Sequence, residues 1–118
     1  MVRRQGWILL NDRLTAELKW VGEGTLLVGV CGEIEADTAG TVREVLVRAC
    51  DQATQVVFDL GRVSFIDSTG LGVIVAASTR PSQKGAEFSL LRPPPSVLRT
   101  LQLFGLDALI SDMGQLDP

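Results

Sequence analysis

Four small polar residues, Asp67-Ser68-Thr69-Gly70, interrupt the long apolar stretch Val56–Ala77 and carry the side chains best suited to chemistry. A serine hydroxyl in such a place can act as a nucleophile, accept a phosphate group or cap a helix. The chain of 118 residues contains no histidine, so it cannot form a Ser-His-Asp or Cys-His nucleophile and most zinc sites lose their usual ligand. No G-x-S-x-G turn surrounds Ser68 either. We therefore expect a binding protein and not a small serine hydrolase.

Three carboxylates at alternate positions, Glu33, Glu35 and Asp37, form a second candidate group. Carboxylates can bind a hard cation such as Ca²⁺, but three acids on an exposed loop are more often simply solvated. We accordingly expect no metal and no other cofactor. Gly70 and Gly72 lack the third glycine or the lysine of a phosphate-binding loop, so close packing is the better explanation for them.

The composition argues against several classes of function. A net charge of -3 with scattered basic residues does not supply the basic face that nucleic acid requires. The apolar runs are shorter than the roughly eighteen residues of a membrane span, and Trp7–Leu10 is too short for the core of a signal peptide. Cys31 and Cys50 lack metal-ligand spacing and are expected to be reduced, buried thiols. These features indicate one cytoplasmic domain that binds neither nucleic acid nor membrane.

The elements that must position the Asp67-Ser68-Thr69-Gly70 cluster are the segments on either side of it. Val56–Ile66 is predicted to be a buried strand with a break at Gly61-Arg62. The apolar run after Gly70, up to Ala77, is consistent with a helix capped by the polar cluster, and Gly72 would lie where that helix approaches the sheet. The β-branched Val73, Ile74 and Val75 favour a strand instead, and periodicity does not decide between the two.

The first part of the chain predicts a hairpin. Leu14–Trp20 alternates between apolar and polar residues, which is typical of a half-exposed strand. Gly22-Glu23-Gly24 predicts a turn, and Thr25–Cys31 is apolar on both faces and therefore more central in the sheet.

Helical spacing follows in two further places. Apolar residues at 42, 45, 46 and 49 predict a helix capped by Asp37 or Thr41. After a strand at Ala86–Leu91, Pro93–Pro95 begins a third helix whose apolar face comprises residues 97, 98, 101 and 104. Gly105 is placed to end that helix in the left-handed conformation, and residues 108–110 could form a short last strand.

This alternation predicts the α/β class, with a mixed, mostly parallel sheet of about four to five strands and about three helices. The segment FIDSTGLGV resembles the signature of the STAS-domain anti-sigma-factor antagonists, small bacterial regulatory proteins in which this motif stands between a strand and a helix. The similarity extends over about Leu14–Ile110. It includes Gly32-Glu33-Ile34-Glu35, where the family usually has Asp in place of Glu35, and the spacing of the third helix. The resemblance implies a STAS-like domain over residues 14–111, an N-terminal extension over 1–13 and a polar C-terminal tail over 112–118.

The resemblance also implies a mechanism of partner switching. An antagonist of this family binds an anti-sigma factor with serine kinase activity and releases a sigma factor. The partner, which holds ATP, phosphorylates the serine after the aspartate, here Ser68, and a phosphatase restores the active form. Thr69 is the alternative acceptor. The partner-binding residues implied here are Glu33, Glu35, Asp37, Asp67, Ser68, Thr69 and Gly70. The alternative function is that of a non-catalytic STAS scaffold subunit in a larger signalling assembly.

Overall fold

The computed structural model describes residues 8–11, 13–80 and 85–111. Within this part of the chain, five strands and three helices follow one another, and a short 3₁₀ helix, Leu106–Leu109, comes last. In chain order the elements are β1 (Ile8–Asn11), β2 (Leu14–Trp20), β3 (Thr25–Ile34), α1 (Ala39–Gln52), β4 (Gln55–Ile66), α2 (Ser68–Thr79), β5 (Glu87–Leu91) and α3 (Pro95–Leu103).

The strands form one mixed sheet in the order β1-β2-β3-β4-β5. β1, β2 and β3 pair antiparallel, whereas β4 lies parallel to both β3 and β5. Parallel neighbours need a crossover, which α1 and α2 provide. The α/β class and the hairpin between β2 and β3 are thus confirmed. A single parallel bridge between Leu90 and Ile110 adds to the sheet beyond β5.

All three helices pack on one face of this sheet. Their apolar residues, such as Leu46, Ile74 and Leu101, belong to one buried cluster with alternate strand residues such as Val28 and Phe58. The intervening strand residues point to the opposite face, because successive side chains of a strand alternate. They form a separate small cluster of Leu27, Val57 and Leu91.

β4 runs unbroken through the predicted interruption at Gly61-Arg62. Its pairing with β3 shifts register twice, between Gly29 and Cys31 and again between Gly32 and Glu33. Such bulges place an extra residue on one strand and let the ladder continue. The polar residues of this segment therefore bend the strand without ending it, and the strand ends only at Ile66.

The segment after Gly70 is a helix although its central residues favour strands. Val73 and Ile74 are buried on the sheet-facing side of α2. Tertiary burial of an apolar face outweighs intrinsic propensities, which amount to less than about 1 kcal/mol per residue. This outcome resolves the ambiguity in favour of the capped helix.

The end of the chain differs from the expectation at two points. Phe104 lies beyond α3 and is 61% exposed, so its place on the buried face was wrong. Residues 106–109 form a 3₁₀ helix, and only Ile110 pairs with β5, so the predicted strand at 108–110 is reduced to one bridge. Gly105 adopts the predicted left-handed conformation, with φ 71°.

Part of the predicted N-terminal extension belongs to the sheet. β1 lies within residues 1–13 and pairs with β2 through Ile8–Ala16 and Leu9–Thr15. The polar tail predicted at 112–118 lies outside the described residues. Both cysteines are free; Cys50 is buried, as expected, whereas Cys31 is only half-buried. No helix in the described ranges is long and apolar enough to span a membrane.

Candidate functional site

The candidate site lies at the end of the sheet where the carboxyl-terminal ends of the central strands β3 and β4 lie side by side. We call this end of the strands the edge. Ile34 and Ile66 are paired across these parallel strands, and the Asp67 N–H donates to the Ile34 carbonyl oxygen at 3.1 Å. β2 runs in the opposite direction and begins at this edge with Leu14, opposite Gly32. Three chain segments therefore meet here: the residues before β2, those after β3 and those after β4.

Asp67 caps the helix that follows β4. Its backbone is extended, and its Oδ1 accepts a hydrogen bond from the Gly70 N–H at 3.0 Å. Side-chain acceptors at this position satisfy N–H groups that have no partner within the helix. The suggestion that Ser68 is itself the cap is therefore wrong, because Ser68 is the first residue of α2.

Ser68 and Thr69 are both exposed at the start of α2. Within the described residues, the Ser68 hydroxyl has no hydrogen-bond partner. The first N–H groups of a helix and the positive end of its dipole favour an anion such as phosphate. The neighbouring Asp67 carboxylate opposes a second negative charge at the same place.

Gly70 lies where α2 packs most closely against the ends of β3 and β4. A Cβ atom at this position would lie 2.7 Å from Cγ1 of Ile66 and 2.8 Å from both Cγ2 and the carbonyl oxygen of Ile34. Gly72 was expected to occupy such a place, but it is exposed and a Cβ there would have no neighbour within 4 Å. The close approach of helix and sheet is therefore at Gly70, which brings Ser68 directly to the strand ends.

The acidic loop, residues 33–37, lies beside Asp67 after β3. Glu33 and Asp37 are exposed and Glu35 is half-buried. Arg13, which precedes β2, forms an ion pair with Glu35 and has its Nη2 3.5 Å from Oδ2 of Asp37. In the described part of the chain, no three acidic, cysteine or histidine side chains are placed to share a metal ion.

Thr38 fixes the backbone of the acidic loop. Its side chain is only 1% exposed, and its hydroxyl donates to the Glu33 carbonyl oxygen at 2.7 Å and accepts from the Glu35 N–H at 3.0 Å. Thr38 is also the residue that precedes α1, so neither predicted cap, Asp37 or Thr41, takes that position. Sequence reasoning missed Thr38 and Arg13, because their partners are identified only by the folded loop.

We expect Thr38→Val to lower the free energy of unfolding by about 1 to 3 kcal/mol. The change keeps the shape of the side chain but removes the hydrogen bonds that the buried Thr38 hydroxyl makes with the Glu33 carbonyl oxygen and the Glu35 N–H. Chemical denaturation of the purified variant measures this loss. Thr41→Val is the matched control, because the Thr41 side chain makes no hydrogen bond within the described residues. Equal effects of the two variants would contradict the role given to Thr38.

Two exposed apolar residues accompany the polar groups. Phe65 is 50% exposed and is paired with Glu33 at the end of β4, and Val75 is 42% exposed on α2. Phe65 lies at the end of β4 beside the acidic loop, whereas Val75 lies about two turns along α2 from Ser68. An exposed hydroxyl, carboxylates and a large apolar side chain close together are typical of a protein–protein contact.

Comparison with known proteins places this geometry in context. The family model described as STAS domain matches residues 21–117. An anti-sigma F factor antagonist of Paenibacillus polymyxa is 35% identical over 85 residues, which cover 70% of this chain and 73% of that protein. An anti-sigma-B factor antagonist of Bacillus subtilis (strain 168) is 32% identical over 88 residues, 75% of this chain and 81% of that protein. The crystal structure of an anti-sigma factor antagonist from Mycobacterium paratuberculosis matches with a TM-score of 0.76 at 26% identity, covering 89% of this chain and 92% of that one.

Proposed function

The chain belongs to the STAS domain family, and on this premise we propose that it is an anti-sigma-factor antagonist that acts by binding. It binds an anti-sigma factor with serine kinase activity in the bacterial cytoplasm and so releases a sigma factor. The partner transfers the γ-phosphoryl group of its ATP to the Ser68 oxygen, leaving ADP, and the serine proton passes to a base of the partner. The phosphorylated form no longer binds, and a phosphatase restores it by hydrolysis.

The observation that carries the proposal is the exposed Ser68 hydroxyl at the start of α2, in a chain whose relatives are named anti-sigma factor antagonists. A kinase must reach its acceptor oxygen in line with the phosphate of ATP, which a buried serine would not allow. Because Asp67 already caps the helix, the Ser68 hydroxyl is not needed for that role. The acceptor can therefore be modified without removing a structural hydrogen bond.

The partner contacts one surface at the edge of the sheet. Its polar part comprises Glu33, Glu35, Asp37, Asp67, Ser68, Thr69 and Gly70. Gly70 is buried and contributes by holding α2 against the strand ends, and Phe65, paired with Glu33 at the end of β4, adds an exposed apolar side chain. Apolar anchors supply most of the affinity in such interfaces, and the charged groups supply orientation and specificity.

The site also supports a function without catalysis. A serine nucleophile needs a base to accept its proton, and the chain contains no histidine. The nearest carboxylate in sequence, Asp67, holds the Gly70 N–H through Oδ1. A serine-directed covalent probe should accordingly leave Ser68 unlabelled, and stoichiometric labelling would argue for an enzyme.

Incubation with the candidate anti-sigma factor and ATP tests the proposal. We expect one phosphate per chain, which fragmentation in the mass spectrometer assigns to Ser68. The reaction should persist in Thr69→Ala and disappear in Ser68→Ala. Phosphate on Thr69 in the unmodified chain, or no phosphate at all, would contradict the proposal. A stable larger assembly that forms regardless of ATP would favour the scaffold alternative instead.

A further inference from the structure

Arg13, the residue before β2, reaches the acidic loop because its backbone packs directly against Gly32 of β3. Gly32 has φ 134°, and a Cβ atom there would lie 2.4 Å from the backbone oxygen of Arg13. The backbone of Arg13 thus rests directly on β3, in a place that only a glycine permits. From this position the guanidinium meets Glu35 and Asp37, two residues that lie 22 and 24 positions further along the chain.

The course of the acidic loop does not depend on Arg13. The Thr38 hydroxyl bonds to the backbone of Glu33 and Glu35, and the N–H groups of Thr38 and Ala39 both donate to the Glu35 carbonyl oxygen. On the other side, Asp67 is bonded to Ile34. The backbone is therefore held from within, and Arg13 acts mainly on the carboxylate groups.

The contact changes which charges the edge presents to a partner. Side-chain exposure is 25% for Glu35 and 80% for Asp37, and both carboxylates face the same guanidinium. Glu33 is exposed and has no ion pair within the described residues. A cation approaching the edge thus meets Glu33 without an ion-pair partner from the described residues, whereas Glu35 and Asp37 already share the positive charge of Arg13, although Asp37 is itself 80% exposed.

We propose that Arg13 masks the carboxylates of Glu35 and Asp37 and competes with any cationic group that a partner presents to them. Arg13 is in this sense a specificity-determining residue, which lowers the affinity for basic surfaces that do not displace it. The inference rests on the proposed function for the identity of the partner, but the masking itself is a property of the free protein. A purely positioning role for Arg13 has the opposite consequence, because its removal would then weaken binding.

The first test measures binding of the anti-sigma factor by titration calorimetry. We expect Arg13→Ala to bind about 2- to 5-fold more tightly than the unmodified chain. The effect is small because the competing ion pairs are partly exposed, and such pairs contribute little free energy. The gain should shrink with added salt. In the background of Glu35→Gln and Asp37→Asn the gain should vanish, so that the triple variant with Arg13→Ala binds no more tightly than this double variant. Arg99→Ala, which removes an exposed arginine from α3, is the control for net charge. Weaker or unchanged binding of Arg13→Ala, or equal tightening by Arg99→Ala, overturns the proposal.

The second test needs no partner. Carboxylates are labelled with a water-soluble cationic carbodiimide and glycine ethyl ester, and the modified residues are located by mass spectrometry. In the unmodified chain we expect Glu35 and Asp37 to react more slowly than Glu33, and in Arg13→Ala all three should react at similar rates. Glu44, exposed on α1, should not change. Equal labelling of the three residues in the unmodified chain overturns the masking even if binding is observed. If the anti-sigma factor does not bind but Glu35 and Asp37 are labelled slowly only when Arg13 is present, the proposed function is wrong and the masking by Arg13 is supported.

Discussion

Phosphorylation of Ser68 is expected to weaken binding of the anti-sigma factor by about 30- to 150-fold, which corresponds to roughly 2 to 3 kcal/mol. A phosphoserine carries about -1.5 to -2 charge at neutral pH, and it would stand beside Asp67 and the acidic loop. In a complex this group must lose water against a surface shaped for a small hydroxyl. The free energy of binding therefore becomes less favourable, while the contacts elsewhere in the interface are unchanged.

The fold itself should tolerate the phosphate. Ser68 is exposed and lies in the first turn of α2, where helix N–H groups and the helix dipole favour an anion. Asp67 caps α2 through the Gly70 N–H, and the Ser68 hydroxyl takes no part in that bond. A thermal melt of the phosphorylated protein should accordingly remain close to that of the unmodified chain, which separates a loss of binding from a loss of structure.

Calorimetric titration of three variants checks the effect on binding. Ser68→Ala should fold, resist phosphorylation and bind as the unmodified chain does, whereas Ser68→Asp should fold and bind poorly, although one carboxylate only approximates a phosphate. Thr69→Asp adds the same charge at the neighbouring exposed position and is the matched control. We expect its effect to be smaller. If Ser68→Asp binds as tightly as the unmodified chain, the switching mechanism is wrong.

The parts of the fold that sequence patterns predicted are those with strong local signals. The alternation in Leu14–Trp20 and the glycines of the following turn identify the hairpin. The spacing of residues 42, 46 and 49 identifies the buried face of α1. Each pattern identifies the buried face of a strand or helix. It therefore predicts an element correctly where one face is buried and the other is exposed to solvent.

Phe104 and Ile110 show where such patterns fail. Phe104 has helical spacing from Leu101, but α3 ends at Leu103, before the helix could bury it. Ile110 forms only one bridge with β5, because the 3₁₀ helix takes up the residues before it. Whether a helix continues for one more residue depends on tertiary packing, which a local pattern does not record.

The candidate site could be predicted where a sequence motif marks it, but not where it depends on contacts between distant segments. Ser68 and Asp67 stand in a short motif at a strand-to-helix junction, and the structure has that junction. Arg13 and Thr38 contribute through contacts that depend on the pairing of β2 with β3 and on the course of the loop. These contacts join residues whose types are ordinary in sequence, so no spacing rule identifies them.

The wrong prediction that Gly72 lies at the close approach of helix and sheet has the same origin. Both glycines lie in α2, two positions apart, and therefore point in different directions around the helix. Gly70 faces Ile34 and Ile66 at the ends of β3 and β4, whereas Gly72 faces solvent. The Ile34 carbonyl oxygen near Gly70 also accepts the Asp67 N–H, so it cannot move away without weakening that bond.

Gly70→Ala is therefore expected to destabilise the protein by about 1 to 3 kcal/mol, and Gly70→Val by more, because the added carbon overlaps backbone and side-chain atoms at the seat of α2. Alanine would otherwise favour the helix by up to about 1 kcal/mol over glycine. Gly72→Ala is the matched control, and since a Cβ there meets nothing within 4 Å, we expect it to leave stability unchanged or to raise it. Urea denaturation followed by circular dichroism and by tryptophan fluorescence gives the two free energies. A Gly70→Ala midpoint at or above that of the unmodified chain, or a larger loss in Gly72→Ala, would show that α2 does not rest on the strand ends at Gly70.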